Sequence, residues 1–307
     1  MRDATAGDPI SGLKWSHKAL RKLRRVLRRR YRISSPTISR LLRKDHYSLR
    51  VNRKRLAGHQ CPGRDQQFVY IARYRNAYLR RGWAVISVDS KKRELVGPFK
   101  NAGRAWRQSP RDVNMYDFRS DALGVALLYG VYDVGRNRDY MGVGISHDTA
   151  EFAVATIRAW WFEEGRHDHG QHRHLLIEAD CGGSNGNRNR RWRVLLQEFA
   201  DETGLIVTVT HYPTGGSKWN LIEHRMFNEI SANWAAQPLD SYETVLKYVR
   251  TTTTSTGFRC RARLDPKPYQ TGVKVSRKDM AGLHIRPHKI FPHWNYTIYP
   301  RTLSTKN

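Results

Sequence analysis

Two near-continuous apolar runs stop abruptly at an acid, VISVD at 85–89 and LLIEAD at 175–180, and a third stretch, SKWNLIEHRMFNEI at 217–230, carries a glutamate at helical spacing. Runs of that kind suit strands covered on both faces, so Asp89 and Asp180 are expected at strand ends and Glu223 on a helix. The segment CGGSNGNR, directly after Asp180, is rich in turn formers that let the backbone bend away and let another chain approach closely.

The surrounding pattern extends this into a fold. A strand at 83–89, a hairpin of 125–134 and 140–145 around residues 135–138, a helix at 148–163, then strand 174–180, helix 188–202, strand 205–211 and helix 217–234 predict an α/β mixed sheet with helices on its faces. Residues 90–124 read as a polar insertion with Gly97, Gly103, Trp106 and Pro110, and the Pro- and His-rich stretch 258–307 as a C-terminal extension. The expected organisation is a basic DNA-binding region at 1–60, a linker helix at 61–81, a catalytic domain at 82–257 and the extension.

Charge separates the first quarter from the rest. Of a net +28, the first 81 residues carry +19, with 23 Lys or Arg against 4 Asp or Glu. Such a field draws polyanions, and neutralising phosphates releases counterions, which makes nucleic acid the expected partner. No apolar run approaches the roughly 18 residues of a membrane span, so no membrane partner is expected. Residues 16–31 predict a helix with Leu20, Leu23 and Leu27 on one face and Arg24, Arg25, Arg28 and Arg29 on the others. Ser35 followed by Pro36 predicts the cap and first turn of a second helix, with Ile38, Leu41 and Leu42 as its apolar face and Thr37, Arg40, Arg43 and Lys44 available to DNA. Together the pair is a helix-turn-helix candidate, continued by Arg53, Lys54 and Arg55 as a phosphate-gripping linker. Cys61, Cys181 and Cys260 lie at unrelated spacings without a C-x-x-C pair, which fits a reducing, cytoplasmic, nucleoid-associated setting.

Trp219, Asn220, Phe227 and Ile230 lie three, four or seven positions from Glu223, so the carboxylate shares a face with apolar residues and points inward, where it needs a cation. Three converging carboxylates suit hard cations that take oxygen ligands, above all magnesium, with two ions flanking a transferred phosphoryl group. Lys91, Lys92, His211, Ser217, Lys218 and Asn220 flank the three acids and are expected to position phosphates. Rival groupings are weaker. Asp148 with Glu151 reads as a helix cap, and Asp133 sits beside a hairpin turn. Glu178 shares a strand face with Asp180, where it reads as a surface acid in the first place and a metal-assisting one in the second, and His167, His169, His172 and His174 read as a solvated loop. TGGSK at 214–218 lacks phosphate-loop spacing.

The segments DSKKRELVG (89–97), NAGRAW (101–106), YGVYD (129–133), HDTAEFAV (147–154), ADCGGSNG (179–186), SKWNLIEHR (217–225) and WNYTI (294–298) together resemble the ISAzo-type bacterial insertion-sequence transposases. These are relatives of the mariner-like DDE transposases with a ribonuclease H-like catalytic domain. The resemblance spans about residues 7–298. It implies that Asp89, Asp180 and Glu223 form the acidic triad and bind two Mg2+ ions, with Mn2+ as a substitute. It further implies nicking of double-stranded DNA at the element's ends, attack of the freed 3′-hydroxyl on target DNA, and a homodimer on DNA. Members of that group carry more sequence ahead of the part matching GDPISGLKWS, so an N-terminally shortened DNA-binding region is expected, and a DNA-binding remnant that represses its own element is the alternative function.

Overall fold

The computed structural model describes residues 5–7, 14–16, 19–49, 62–216, 219–254 and 257–301, in two compact units, Met1–Gly58 and His59–Asn307. In the first unit, β1 (Thr5–Gly7) pairs antiparallel with β2 (Lys14–Ser16), and α1 (Leu20–Leu27) and α2 (Ser35–Lys44) come next. The first helix is shorter than its leucine spacing predicts, because Ser16 is taken up in β2 and Ala19, at the N-cap, offers no side-chain acceptor. The second helix is capped one residue earlier than expected: the Ser34 hydroxyl accepts the Thr37 amide at 3.2 Å, which places Ser35 inside the helix. Leu23 and Ile38 are buried, whereas Leu41 is half exposed. The side chains of Arg24, Arg25, Arg28, Arg29, Arg40, Arg43 and Lys44 are all exposed, and Ser35 and Thr37 are partly so. Arg53, Lys54, Arg55, Ser217 and Lys218 lie outside the described residues.

The second unit begins with α3 (Arg64–Arg80) and is built on an eight-stranded sheet among the described residues. The strands are β3 (Ala84–Val96), β4 (Gly124–Asp133), β5 (Arg138–Gly144), β6 (His174–Ala179), β7 (Ile206–His211), β8 (Arg259–Asp265), β9 (Ile285–Pro287) and β10 (Asn295–Ile298), in the order β8-β5-β4-β3-β6-β7-β10-β9. Two antiparallel pairings join β5, β4 and β3, and parallel pairings then join β3 to β6 and β6 to β7. This 5-4-3-6-7 core of one meander and two parallel crossovers is a ribonuclease H-like α/β fold. Residues 258–307, expected as an extension, supply β8 at one edge and β9 and β10 at the other.

Burial divides along the two faces of the sheet, as strand alternation requires. One face packs Ile86, Val88, Tyr129, Ile177 and Val209 against α4 (Ala150–Trp160) and α6 (Arg190–Thr203), with Trp160 and Trp192 fully enclosed. On the other, Leu128, Met141 and Val143 meet Ile222, Met226, α7 (Asn228–Asn233) and α8 (Tyr242–Arg250). Tyr78 of α3 packs on Val85 and Leu176. Helix α4 passes through a π turn, Trp161–Gly165, into α5 (Arg166–His169).

The expected histidine loop is therefore partly inside. His169 is buried with Nε2 2.6 Å from Asp133 Oδ2, and His174 stacks on Trp83 at 3.8 Å between ring centroids. Asp133, the rival carboxylate, is spent on that contact and on the turn amides of Gly135 and Arg136.

Candidate active site

The strand register decides where the acids fall. Val88 of β3 is the Cα partner of Ala179 on β6, and Ala179 is the partner of His211 on β7. The residue after each of the first two is an aspartate, so Asp89 and Asp180 leave neighbouring parallel strands at one level, where strand spacing is about 4.8 Å. The parallel ladder ends there, while β3 itself runs on to Val96 as an antiparallel arm with β4, broken by an irregularity between Lys91 and Glu94. The arm postpones the expected insertion to residues 97–123.

Glu223 arrives from the opposite side. Leu221 and Ile222 begin a helix that opens directly into a π turn, Glu223–Phe227, so Glu223 stands near the helix start rather than six residues inside. The turn rests on Gly130, the Cα partner of Asp89, where a Cβ would meet Ile222 Cδ1, Met226 Sδ and Phe227 Cε1 at 2.7–2.9 Å. Only a bare backbone lets the helix come this close to the strand beside Asp89.

A buried asparagine links the two sides. Asn220, fully enclosed, donates to Asp89 Oδ2 at 3.4 Å and to the Val88 carbonyl at 3.5 Å, and accepts the Ser87 hydroxyl. Ser87 Oγ in turn accepts the Ile222 amide at 3.3 Å, tying β3 to the start of the Glu223 helix. Asp89 Oδ1 accepts the Ser90 amide at 2.8 Å. His211, also enclosed, bonds through Nδ1 to the Asp180 carbonyl at 2.9 Å, so that nitrogen carries the proton, and burial lowers the ring pKa to about 4, keeping it neutral. Burial removes His211 and Asn220 from direct phosphate contact; they hold the aspartates instead. Lys91 is engaged as well, with Nζ 2.8 Å from Glu94 Oε1 and 4.6 Å above the Trp234 ring, whereas Lys92 is exposed.

Electrostatics couples the three carboxylates. Burial, followed by the charge of Asp180, pushes Asp89 well above the usual carboxylate range. Burial and then Glu223 raise Asp180 to about 6, and burial raises Glu223 itself against the pull of His224 and Lys91. Among the described residues no three His, Cys, Asp or Glu side chains converge closely enough to hold an ion as they stand. The donors nevertheless fit a hard divalent cation, being oxygen ligands that are partly desolvated and mutually repelling, a state that a cation relieves.

Two expectations about neighbouring acids change. Glu178 is wholly buried and bonded to Arg75 of α3 (Nε–Oε1 2.8 Å, Nη2–Oε2 2.6 Å) and to the Tyr212 hydroxyl at 2.9 Å. It thus pins the linker helix to the sheet and is available neither to a metal nor to solvent. Thr149 caps α4, its hydroxyl accepting the Phe152 amide at 3.3 Å, and Asp148 instead accepts the Ser90 hydroxyl at 3.1 Å, beside Asp89. Sequence spacing holds no signal for either contact.

The family model described as Rhodopirellula transposase DDE domain matches residues 1–300, and the chain belongs to this family of DDE transposases. Among solved structures it is similar to a Mos1 transposase paired-end complex with left transposon end, at 17% identity and TM-score 0.44, covering 75% of this chain and 65% of that one. The Mos1 Strand Transfer Complex matches at 15% identity and TM-score 0.44, over 79% and 71% of the two chains. A Mos1 mariner paired end complex with Mn matches at 17% and 0.44, over 75% and 65%. The chain thus spans 65% of the first of these relatives. A comparison with curated proteins gives no match.

Proposed function

We propose that this transposase cuts DNA at the ends of its element and joins the freed 3′-hydroxyls to target DNA, with Asp89, Asp180 and Glu223 as the acids that hold two Mg2+ ions or Mn2+ in their place. The observation that carries the reading is the Val88–Ala179 register, which delivers two aspartates side by side at the end of the parallel ladder, with Glu223 approaching over Gly130. Divalent ions bound there would activate the attacking oxygen and stabilise the leaving one. The chain's own residues orient the acids. Asn220 holds the Asp89 carboxylate and Ser87 fixes the helix that bears Glu223. Neutral His211 anchors the Asp180 backbone, and the expulsion of water by the surrounding apolar side chains strengthens each of these contacts.

In this reading the exposed arginines of α1 and α2 grip phosphates of double-stranded DNA, a homodimer holds two ends together, and the protein works in the cytoplasm on the nucleoid. The test is cleavage of a plasmid carrying the element's ends with Mg2+ or Mn2+. Asp180→Ala is expected to keep salt-sensitive DNA binding and lose cleavage. Undiminished cleavage by that variant overturns the site, and binding by the wild-type chain without any metal-dependent cleavage favours a repressor remnant.

A further inference from the structure

The strand residue after Asp89 and the turn after Asp180 meet on the face of the sheet opposite Glu223. Ser90 is the residue next to Asp89, and strand alternation sends its side chain to the other face. There its hydroxyl donates to Asp148 Oδ1 at 3.1 Å and lies 3.4 Å from the hydroxyl of Ser184, which belongs to the single helical turn Gly183–Asn185 just after Asp180. The same turn is tied back to β3 through Asn185, whose amide reaches the Val88 carbonyl at 3.5 Å, and is held from behind by Asn189, which donates to the Ser184 carbonyl at 2.9 Å.

Asp148 itself stands at the start of α4, next to the capping Thr149. Its position is fixed by a helix that packs into the core and not by the strand and turn beside it. A second observation places it in the same electrostatic environment as the site. Tyr129, the Cα partner of Ser90 on β4, is fully buried with no partner for its hydroxyl, and the negative charges of Asp89 and Asp148 both bear on it.

We propose that Asp148 is a positioning residue: by accepting the Ser90 hydroxyl it leaves Ser90 Oγ to accept from Ser184, which ties β3 just past Asp89 to the turn after Asp180, and so sets the spacing of the two aspartates for a divalent cation. The inference rests on the proposed role of those aspartates as cation ligands. Supporting groups that orient ligands from behind are worth about 10- to 100-fold in metal affinity.

The experiment is a melting-temperature titration of the full chain without DNA, from chelator into MgCl2 and, separately, MnCl2. Wild type is expected to gain stability with added cation. Asp148→Ala and Ser90→Ala are expected to shift the midpoint to about tenfold higher concentration, with the double variant no worse than either single one, since both remove one bond. Asp148→Asn, whose amide oxygen still accepts, stays near wild type. A purely structural role lowers the melting temperature in chelator and leaves the cation midpoint unmoved. That outcome in Ser90→Ala, the variant least disturbing to the fold, overturns the inference if Asp180→Asn has lost the cation response. A wild-type chain that gains nothing from either cation overturns this inference together with the proposed metal site.

Discussion

Replacing Asp180 by asparagine should make the metal-free protein more stable while abolishing its chemistry. In the folded chain the Asp180 carboxyl titrates near 6, against 3.8 for the ordinary group, because it is largely buried and faces Glu223. Two pKa units at about 1.4 kcal/mol each correspond to roughly 3 kcal/mol of strain in the ionised form. A raised carboxylate pKa leaves stability intact below the unfolded value and removes it as pH climbs through the folded one. The penalty is therefore absent near pH 4, grows between about 4 and 6, and is complete by pH 7.

Asparagine keeps the shape and omits the charge. In chelator at pH 7 to 8, Asp180→Asn should be more stable than wild type by up to about 3 kcal/mol. At about 2 °C per kcal/mol for a chain of this size, that is a melting temperature up to roughly 6 °C higher. The assay is calorimetric or fluorescence melting of both proteins from pH 4 to 8. Comparing variant with wild type at each pH cancels the titration of groups that do not feel Asp180, and the relief of Asp89, which Asp180 raises, adds in the same direction. A variant no more stable than wild type at pH 7, or a gap that does not close towards pH 4, refutes the idea that mutual repulsion and burial strain this site.

The packing sets two further outcomes. Arg75→Ala strands the enclosed Glu178 without its cation and should cost about 3–5 kcal/mol in urea unfolding, while an apolar replacement of both partners should recover most of the loss. Gly130→Ala drives a Cβ into Ile222, Met226 and Phe227. It should cost about 1–3 kcal/mol and depress cleavage more than DNA binding, because it displaces the Glu223 helix and leaves α1 and α2 untouched; equal loss of both activities argues against that placement.

The features a sequence discloses and those it conceals divide by the range of the interaction. Asp89 and Asp180 are legible because a strand buried on both faces writes itself as an apolar run, and the acid that ends it is a local signal. The mixed sheet and the order of its helices emerge from the same runs. Glu178 lies two residues from Asp180 and reads as a surface or metal-assisting acid, because its partner Arg75 is 103 positions away on another element. His169 and Asp133 likewise meet across 36 positions, in a stretch whose polarity suggests solvent.

Edge strand β8 alternates exposed arginines with buried Cys260 and Ala262, and the small side chains give a weak apolar signal beneath a strong basic one. The shift of the second helix's cap from Ser35 to Ser34 is a choice between adjacent serines, and only backbone geometry settles it. Asn220 is marked in the sequence by its position beside Glu223, but its work lies with Asp89, 131 residues earlier.

The π turn at Glu223–Phe227 carries one residue more than an α-helical register would hold. Upstream, the chain is clamped by Ser87 and Asn220; downstream, Ile230 and Trp234 lock α7 into the core. The turn therefore acts as slack between two fixed anchors, and the rotational setting of Glu223 is independent of the setting of the helix beyond it. Deleting one residue within the turn would remove that slack and leave a continuous α-helix, about 100° of rotation per residue, in which either the carboxylate or the apolar stripe must face the wrong way. A count of residues between the second and third acids is accordingly a loose ruler for this chain's site, since the bulge, and not the loop length alone, sets where the glutamate points.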